Sequence, residues 1–123
     1  MIRSGVTPIL FVLNNSGYTI ERHLHGRERK YNDIANWRWT DLLAVFQGLP
    51  PASSHEKPKG KSYTVRTKEE LNKLLDDQAF AEAKEIQLVE IIMDKFDAPR
   101  ALRKQAELSG KTNSYVPAGL GTK

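Results

Sequence analysis

The sequence contains no cysteine among its 123 residues. Disulfide scaffolds, thiolate zinc sites and cysteine nucleophiles are therefore excluded. Long apolar runs are missing too, and the longest, residues 8–13, is too short to cross a bilayer. The first residues do not carry the pattern of a secretory signal. From these absences we expect a cytoplasmic protein that makes no use of a membrane.

The chain also lacks a large excess of either positive or negative charge. The chain has 19 Lys and Arg residues against 15 Asp and Glu residues, a net charge of +4. Acidic and basic residues are interleaved, so the sequence does not favour nucleic acid as a partner. Apolar residues make up 39% of the chain and charged residues 28%, which excludes wholesale disorder, and the length suits one domain.

Strand patterns alternate with helix patterns along the chain. Strands are predicted over residues 8–13, 62–66 and 86–93, and helices near Tyr18, after Thr40 or Asp41, after a capping box of Thr67 and Glu70, and from Pro99 to Gly110. This alternation predicts an α/β fold with a partial parallel sheet of about three strands and crossover helices. Residues 48–61 predict an exposed loop, and residues 111–123 a flexible tail.

The first predicted strand is apolar at every position, which is typical of a strand buried on both faces. Only seven residues precede Pro8, too few for a neighbouring strand and its crossover helix. The sequence therefore predicts the C-terminal part of a larger α/β domain.

The run Asn-Asn-Ser-Gly follows this strand directly, at residues 14–17. Ligands of open α/β sheets bind at the carboxyl ends of parallel strands. Asn15 offers an amide oxygen and Gly17 a backbone carbonyl, which are hard donors of the kind that Mg²⁺ accepts beside phosphate oxygens. Glu21, in the next predicted helix, could turn its carboxyl to the same cleft. The same residues also suit an ordinary turn and a glutamate that only complements a helix dipole.

A longer set of residues resembles the thiamine-diphosphate-dependent pyruvate decarboxylase family (2-oxo acid decarboxylases). The resemblance covers roughly residues 1–110 and rests on Phe-Val-Leu-Asn-Asn-Ser-Gly-Tyr-Thr-Ile-Glu at residues 11–21, His25-Gly26, Tyr31-Asn32-Asp33-Ile34, Trp37, Glu90 and Phe96-Asp97-Ala98-Pro99. It implies the C-terminal half of a thiamine-diphosphate-binding domain. It also implies the conversion of pyruvate or a related 2-oxo acid to an aldehyde and CO₂.

The resemblance assigns roles to individual residues. It implies that Mg²⁺ binds the side chain of Asn15 and the carbonyl of Gly17, and that Glu21 is the catalytic residue that handles protons. Cofactor-binding residues are then Asn15, Gly17, Tyr18, Thr19 and Ile20, and Ile20 also lines the 2-oxo acid pocket. The implied partners are a small 2-oxo acid and either further copies of the chain or a full-length decarboxylase subunit.

One half of the family's metal motif is absent. A Gly-Asp-Gly turn, which should supply a charged Mg²⁺ ligand upstream of the Asn-Asn pair, does not occur in this sequence. The isolated chain is therefore expected to be inactive. An alternative is a non-catalytic truncated relative that acts as an interaction module with a full-length subunit. Two weaker alternatives are an unrelated basic binding domain and a zinc site formed by Glu21, His23 and His25.

Overall fold

The computed structural model describes residues 1, 4–47 and 60–113. Within it the chain forms two compact units, one made of Met1–Asn14 and Asn36–Met93, the other of Asn15–Ala35 and Asp94–Lys123. Most of the predicted loop at residues 48–61 and most of the predicted tail lie outside the described residues.

The first unit contains a parallel sheet of three strands, β1 (Ile9–Asn14), β2 (Lys61–Val65) and β3 (Gln87–Ile92). Their order is β1-β3-β2, so β3 is central and both neighbours run parallel to it. The register places Gln87 of β3 beside Ile9 on one side and Lys61 on the other. The predicted α/β class and the three-stranded parallel sheet are confirmed.

Three helices accompany the sheet in this unit: α2 (Leu42–Gln47), α3 (Lys68–Leu75) and α4 (Gln78–Ala81). A 3₁₀ turn at Trp39–Asp41 leads into α2, where the sequence predicted a cap. The predicted capping box of α3 is confirmed. The Thr67 hydroxyl accepts a hydrogen bond from the Glu70 N–H at 3.2 Å, and the Glu70 carboxylate accepts one from the Thr67 N–H at 3.3 Å.

The core lies on both faces of β3, because successive side chains of a strand point to opposite faces. On one face Leu88 joins Leu43 and Ile86. On the other face Val89, which is fully buried, joins Val65 and Phe80. The buried Gln87 is satisfied because its amide donates to the Phe80 carbonyl at 2.8 Å. A central strand flanked on both sides is the position that a continuous apolar pattern favours.

β1 occupies a sheet edge instead, although its sequence is the most apolar of the three. Phe11 is 47% exposed and Leu13 is 62% exposed. Phe11 still meets the ring of Phe80 edge-on, with ring centroids 6.4 Å apart. The expectation that this strand is buried on both faces is therefore wrong for the described chain. An apolar run alone does not distinguish an edge strand from a central one.

The second unit contains α1 (Thr19–His25) and α5 (Arg100–Asn113), which lie against each other. α1 begins where the sequence predicted a helix. α5 continues three residues beyond Gly110, where the sequence predicted its end, so it enters the segment expected to be tail. No helix in the described part of the chain is long and apolar enough to span a bilayer.

Candidate functional site

The turn after β1 folds around two residues with positive φ, Ser16 at 59° and Gly17 at 151°. Two backbone hydrogen bonds join this turn to the segment that follows α1. The Ile34 N–H donates to the Ser16 carbonyl at 3.1 Å, and the Tyr18 N–H donates to the Asn32 carbonyl at 2.9 Å. Glycine is required at residue 17, because a Cβ there would overlap the Asn32 carbonyl oxygen.

The orientation of the Asn15 amide follows from a chain of hydrogen bonds. The Thr19 hydroxyl lies 3.1 Å from the Lys95 carbonyl oxygen, which can only accept, so the hydroxyl donates there. The hydroxyl oxygen can then only accept from Asn15, whose amide nitrogen lies 2.8 Å away. The Asn15 amide oxygen must therefore face the other way, where it accepts a hydrogen bond of 3.3 Å from the Gly17 N–H.

Glu21 lies in the first turn of α1, and its side chain is 42% exposed. One of its carboxylate oxygens lies 3.4 Å from Nε2 of His25, one helical turn further on. The carboxyl is thus accessible to a small ligand and has a basic neighbour. The structure brings Glu21 and the Asn15–Gly17 turn together in one compact unit.

Tyr18 and Ile20 complete the set of predicted cofactor-binding residues. Tyr18 is the residue before α1, and its side chain is exposed. Ile20 lies in α1 and is half-buried. All six predicted residues lie between the end of β1 and the first turn of α1, and their roles stay a prediction.

A buried ion pair next to the turn was not expected from the sequence. Arg22, 1% exposed, donates to the Asp33 carboxylate at 2.6 Å, and it also donates to the Ser16 carbonyl at 3.1 Å. The two residues are eleven positions apart, across a helix end and a loop, so no periodicity connects them. A lone arginine in a short amphipathic helix carries no signal for burial either.

The donors in this chain fit Mg²⁺ in kind but not in number or charge. Mg²⁺ prefers near-octahedral coordination by oxygen, commonly with one or two carboxylates beside phosphate oxygens and water. Asn15 and Gly17 supply two neutral oxygens. The described residues contain no group of three or more His, Asp or Glu side chains that could hold a metal ion. The turn is therefore suited to complete a metal site whose negative charge comes from elsewhere.

The zinc hypothesis finds no support in the geometry. His23 turns away from the other two candidates, and its Nε2 lies 3.2 Å from the Phe96 carbonyl oxygen. Glu21 and His25 contact each other but gain no third ligand among the residues that the structure describes.

Known proteins that are similar to this chain are pyruvate decarboxylases. The chain is 44% identical over 114 residues to the pyruvate decarboxylase of Kluyveromyces lactis. It is 43% identical over 113 residues to that of Aspergillus fumigatus, and 41% identical over 114 residues to pyruvate decarboxylase isozyme 1 of Saccharomyces cerevisiae. These matches cover 92–93% of this chain. Over this segment the chain is similar to pyruvate decarboxylases, and the similarity supports a place in the thiamine-diphosphate-dependent decarboxylase family. No family model matches it.

The chain spans about one fifth of the length of these relatives, 18–19%. The match to the Kluyveromyces lactis protein covers 114 of the 123 residues, so at most nine residues at either end lie outside it. The turn and Glu21 lie further than that from both ends, so they are within the matched segment. The similarity to pyruvate decarboxylases therefore includes the segment that carries the candidate site.

Proposed function

We propose that this chain supplies one part of the active site of a 2-oxo acid decarboxylase that uses thiamine diphosphate and Mg²⁺. The proposed reaction converts pyruvate or a related 2-oxo acid to an aldehyde and CO₂. In this proposal the Asn15 amide oxygen and the Gly17 carbonyl bind Mg²⁺, and Tyr18, Thr19 and Ile20 form the surrounding cofactor and substrate surface.

The orientation of the Asn15 amide is the observation that carries this proposal. Because the Thr19 hydroxyl engages the amide nitrogen, the oxygen is the atom left to face a cation. The oxygen also accepts a hydrogen bond from the Gly17 N–H, which fixes its direction and leaves its second lone pair for a cation. The tight approach of backbone at Gly17 supports the same role, since it fixes the carbonyl donor without a side chain.

Glu21 is the residue that moves protons. When bound, thiamine diphosphate supplies the electron sink for the loss of CO₂ from a 2-oxo acid. The half-exposed Glu21 carboxyl can give a proton to a reacting group and take one back, and His25 lies close enough to exchange it. Ile20, on the same turn of α1, offers an apolar surface for the substrate side chain.

The isolated chain is not expected to turn over substrate, because it supplies only two neutral oxygens toward the near-octahedral set of Mg²⁺ and spans about one fifth of the length of its relatives. The first experiment incubates the chain with thiamine diphosphate, Mg²⁺ and pyruvate and measures the aldehyde formed. No product is expected. Turnover by the wild-type chain that disappears in Glu21→Gln would show that the chain is a complete enzyme.

A chimaera tests the site itself. This chain replaces the matching segment of the Kluyveromyces lactis relative, and pyruvate decarboxylation is measured with and without Mg²⁺. Replacing a positioned proton-transfer group costs roughly 10²–10⁴-fold in rate, so Glu21→Gln should lose at least about 100-fold. Asn15→Ala should raise the Mg²⁺ concentration that is needed. Glu69→Gln on α3 serves as the control and should change neither.

A soluble, folded chimaera without activity would contradict the proposal. It would favour the second candidate function, a non-catalytic chain that associates with a full-length decarboxylase subunit. Among the residues that the structure describes, β1 pairs with β3 on one side and with no strand on the other. This open edge is the observation behind the candidate, because the edge of a sheet is a template for pairing with another chain. Co-purification of the tagged chain with a full-length relative would distinguish the two.

A further inference from the structure

A buried arginine occupies the centre of the loop that carries the candidate ligands. The Arg22 side chain is 1% exposed, which is unusual for an arginine outside a dedicated contact. It lies in α1, the helix that carries Glu21, yet its guanidinium reaches back to the turn before that helix. None of the roles proposed above uses this side chain.

The guanidinium contacts one carboxylate and three backbone carbonyls. Nη2 donates to the Asp33 carboxylate at 2.6 Å, to the Ser16 carbonyl at 3.1 Å and to the Asn32 carbonyl at 3.3 Å. Nη1 donates to the Arg27 carbonyl at 3.3 Å. We call Arg22 with these four acceptors the Arg22 clamp. One acceptor precedes α1 in the sequence and three follow it, so the clamp joins the two ends of the segment of residues 16–33.

The clamp acts on the backbone between the two candidate ligands. The Ser16 carbonyl, one of its acceptors, belongs to the residue between Asn15 and Gly17. A Cβ on Gly17 would lie 2.7 Å from the same guanidinium, so the clamp also fills the space beside Gly17. The Ser16 and Asn32 carbonyls each accept a second hydrogen bond, from the Ile34 and Tyr18 N–H groups.

We infer that Arg22 is a positioning residue for the cation-binding turn: it fixes the Ser16–Gly17 backbone and so aims the Gly17 carbonyl and the Asn15 amide. The inference rests on the proposed function for the identity of the ligand, but the fixing of the turn does not. The Asp33 carboxylate contacts the guanidinium from the solvent side, and the Asp33 side chain is 56% exposed. A rigid donor geometry matters for Mg²⁺, which tolerates little departure from octahedral coordination.

Residue-resolved amide hydrogen exchange on the full 123-residue chain tests the clamp. The variants are Arg22→Met, which removes the guanidinium, Arg22→Lys, which keeps the charge, and Asp33→Asn, which keeps the shape. Glu28→Gln is the control, because it removes another ion pair of the same unit, to Lys95 at 2.9 Å, without contacting the turn.

In Arg22→Met the amides of Tyr18 and Ile34 should exchange at least about tenfold faster relative to that of Val89 in β3. Arg22→Lys should recover part of the protection, and Asp33→Asn should lose less than Arg22→Met because three carbonyl acceptors remain. Glu28→Gln should leave both amides unchanged. Unchanged exchange in Arg22→Met would overturn the inference. An equal increase at all amides would do so too, because it would show a loss of overall stability only.

Paramagnetic Mn²⁺ with thiamine diphosphate provides a second reading, as a substitute for Mg²⁺. In the wild-type chain it should broaden the amide signals of Asn15 and Gly17, and in Arg22→Met the same broadening should need several-fold more Mn²⁺. No broadening in the wild-type chain would contradict the proposed function, while the exchange data would still decide on the clamp. Equal broadening in both chains would overturn the positioning role.

Discussion

Replacement of Gly17 by alanine tests whether the turn is as constrained as its geometry indicates. The added Cβ would overlap the Asn32 carbonyl oxygen and lie 2.7 Å from the Arg22 guanidinium. The first neighbour is backbone and cannot rotate away, so the turn and the loop at Asn32 must separate. We expect Gly17→Ala to destabilise the second unit.

The magnitude follows from what the separation breaks. The hydrogen bonds from Tyr18 to Asn32 and from Ile34 to Ser16 are worth about 1 kcal/mol each. A φ of 151° is also strained for alanine, at a cost of about 1–2 kcal/mol. Together these terms amount to about 3 kcal/mol, which is a large share of the stability of a small domain.

Gly110→Ala is a matched control within the same unit. A Cβ at Gly110 meets no atom within 4 Å, and the residue lies inside α5. Both substitutions reduce the entropy of the unfolded chain equally, so the difference between them isolates the strain in the folded state. Gly110→Ala should stabilise the helix by roughly 0.5–1 kcal/mol.

Urea unfolding followed by two signals gives the free energies. Far-ultraviolet circular dichroism records the helices of both units, whereas fluorescence records Trp37 and Trp39, which both lie in the first unit. The circular dichroism transition of Gly17→Ala should move further than its fluorescence transition. A free energy of unfolding within about 0.5 kcal/mol of wild type would refute the reasoning, because surface substitutions without strain fall in that range.

Three further predictions concern the first unit. Thr67→Ala removes the N-cap of α3 and should lower the free energy of unfolding by about 1 kcal/mol in urea titrations. A hydrogen bond to Glu85 and the charge of that carboxylate raise the pKa of Lys61. The stability that this contact adds is present below the ordinary lysine pKa and is lost as the pH rises through the raised value. NMR titration of Glu85→Gln should return the Lys61 pKa toward its ordinary value, and an unchanged pKa would contradict this cause. The exposed edge of β1 should make the chain associate at roughly tens of micromolar, as measured by light scattering. Leu13→Lys should reduce this association. Leu75→Lys, at an exposed leucine on α3, is the control and should reduce it less.

Local signals made most of the fold predictable. The capping box before α3 and the β-branched run of β3 each specify their element without help from distant residues. The alternation of strands and helices fixes the parallel sheet, because parallel neighbours need crossovers. Six of the seven residues from Asn15 to Glu21 are site candidates, through turn chemistry and the resemblance to a family, and their roles stay a prediction.

Three features depend on contacts that the sequence does not encode locally. The edge position of β1 is decided by which strands are present to pair with it, and its apolar pattern would suit a centre equally well. The continuation of α5 through Gly110 has a similar origin, because one glycine costs a helix only about 1 kcal/mol and packing can offset that. The Arg22 clamp joins residues across α1 that no motif connects.

The charge distribution around the turn implies an order of binding. A cation beside Asn15 and Gly17 would meet only neutral donors, and the Arg22 guanidinium lies one residue away, against the Ser16 carbonyl. Asp33 offsets that positive charge but does not exceed it. When this chain is studied alone, a bound diphosphate is therefore the source of negative charge that we expect a divalent cation to require. We expect Mn²⁺ alone to leave the Asn15 and Gly17 amide signals unchanged and Mn²⁺ with thiamine diphosphate to broaden them. Broadening by Mn²⁺ alone, at the same concentration, would show that the chain holds a metal ion without the cofactor and that neutral donors suffice.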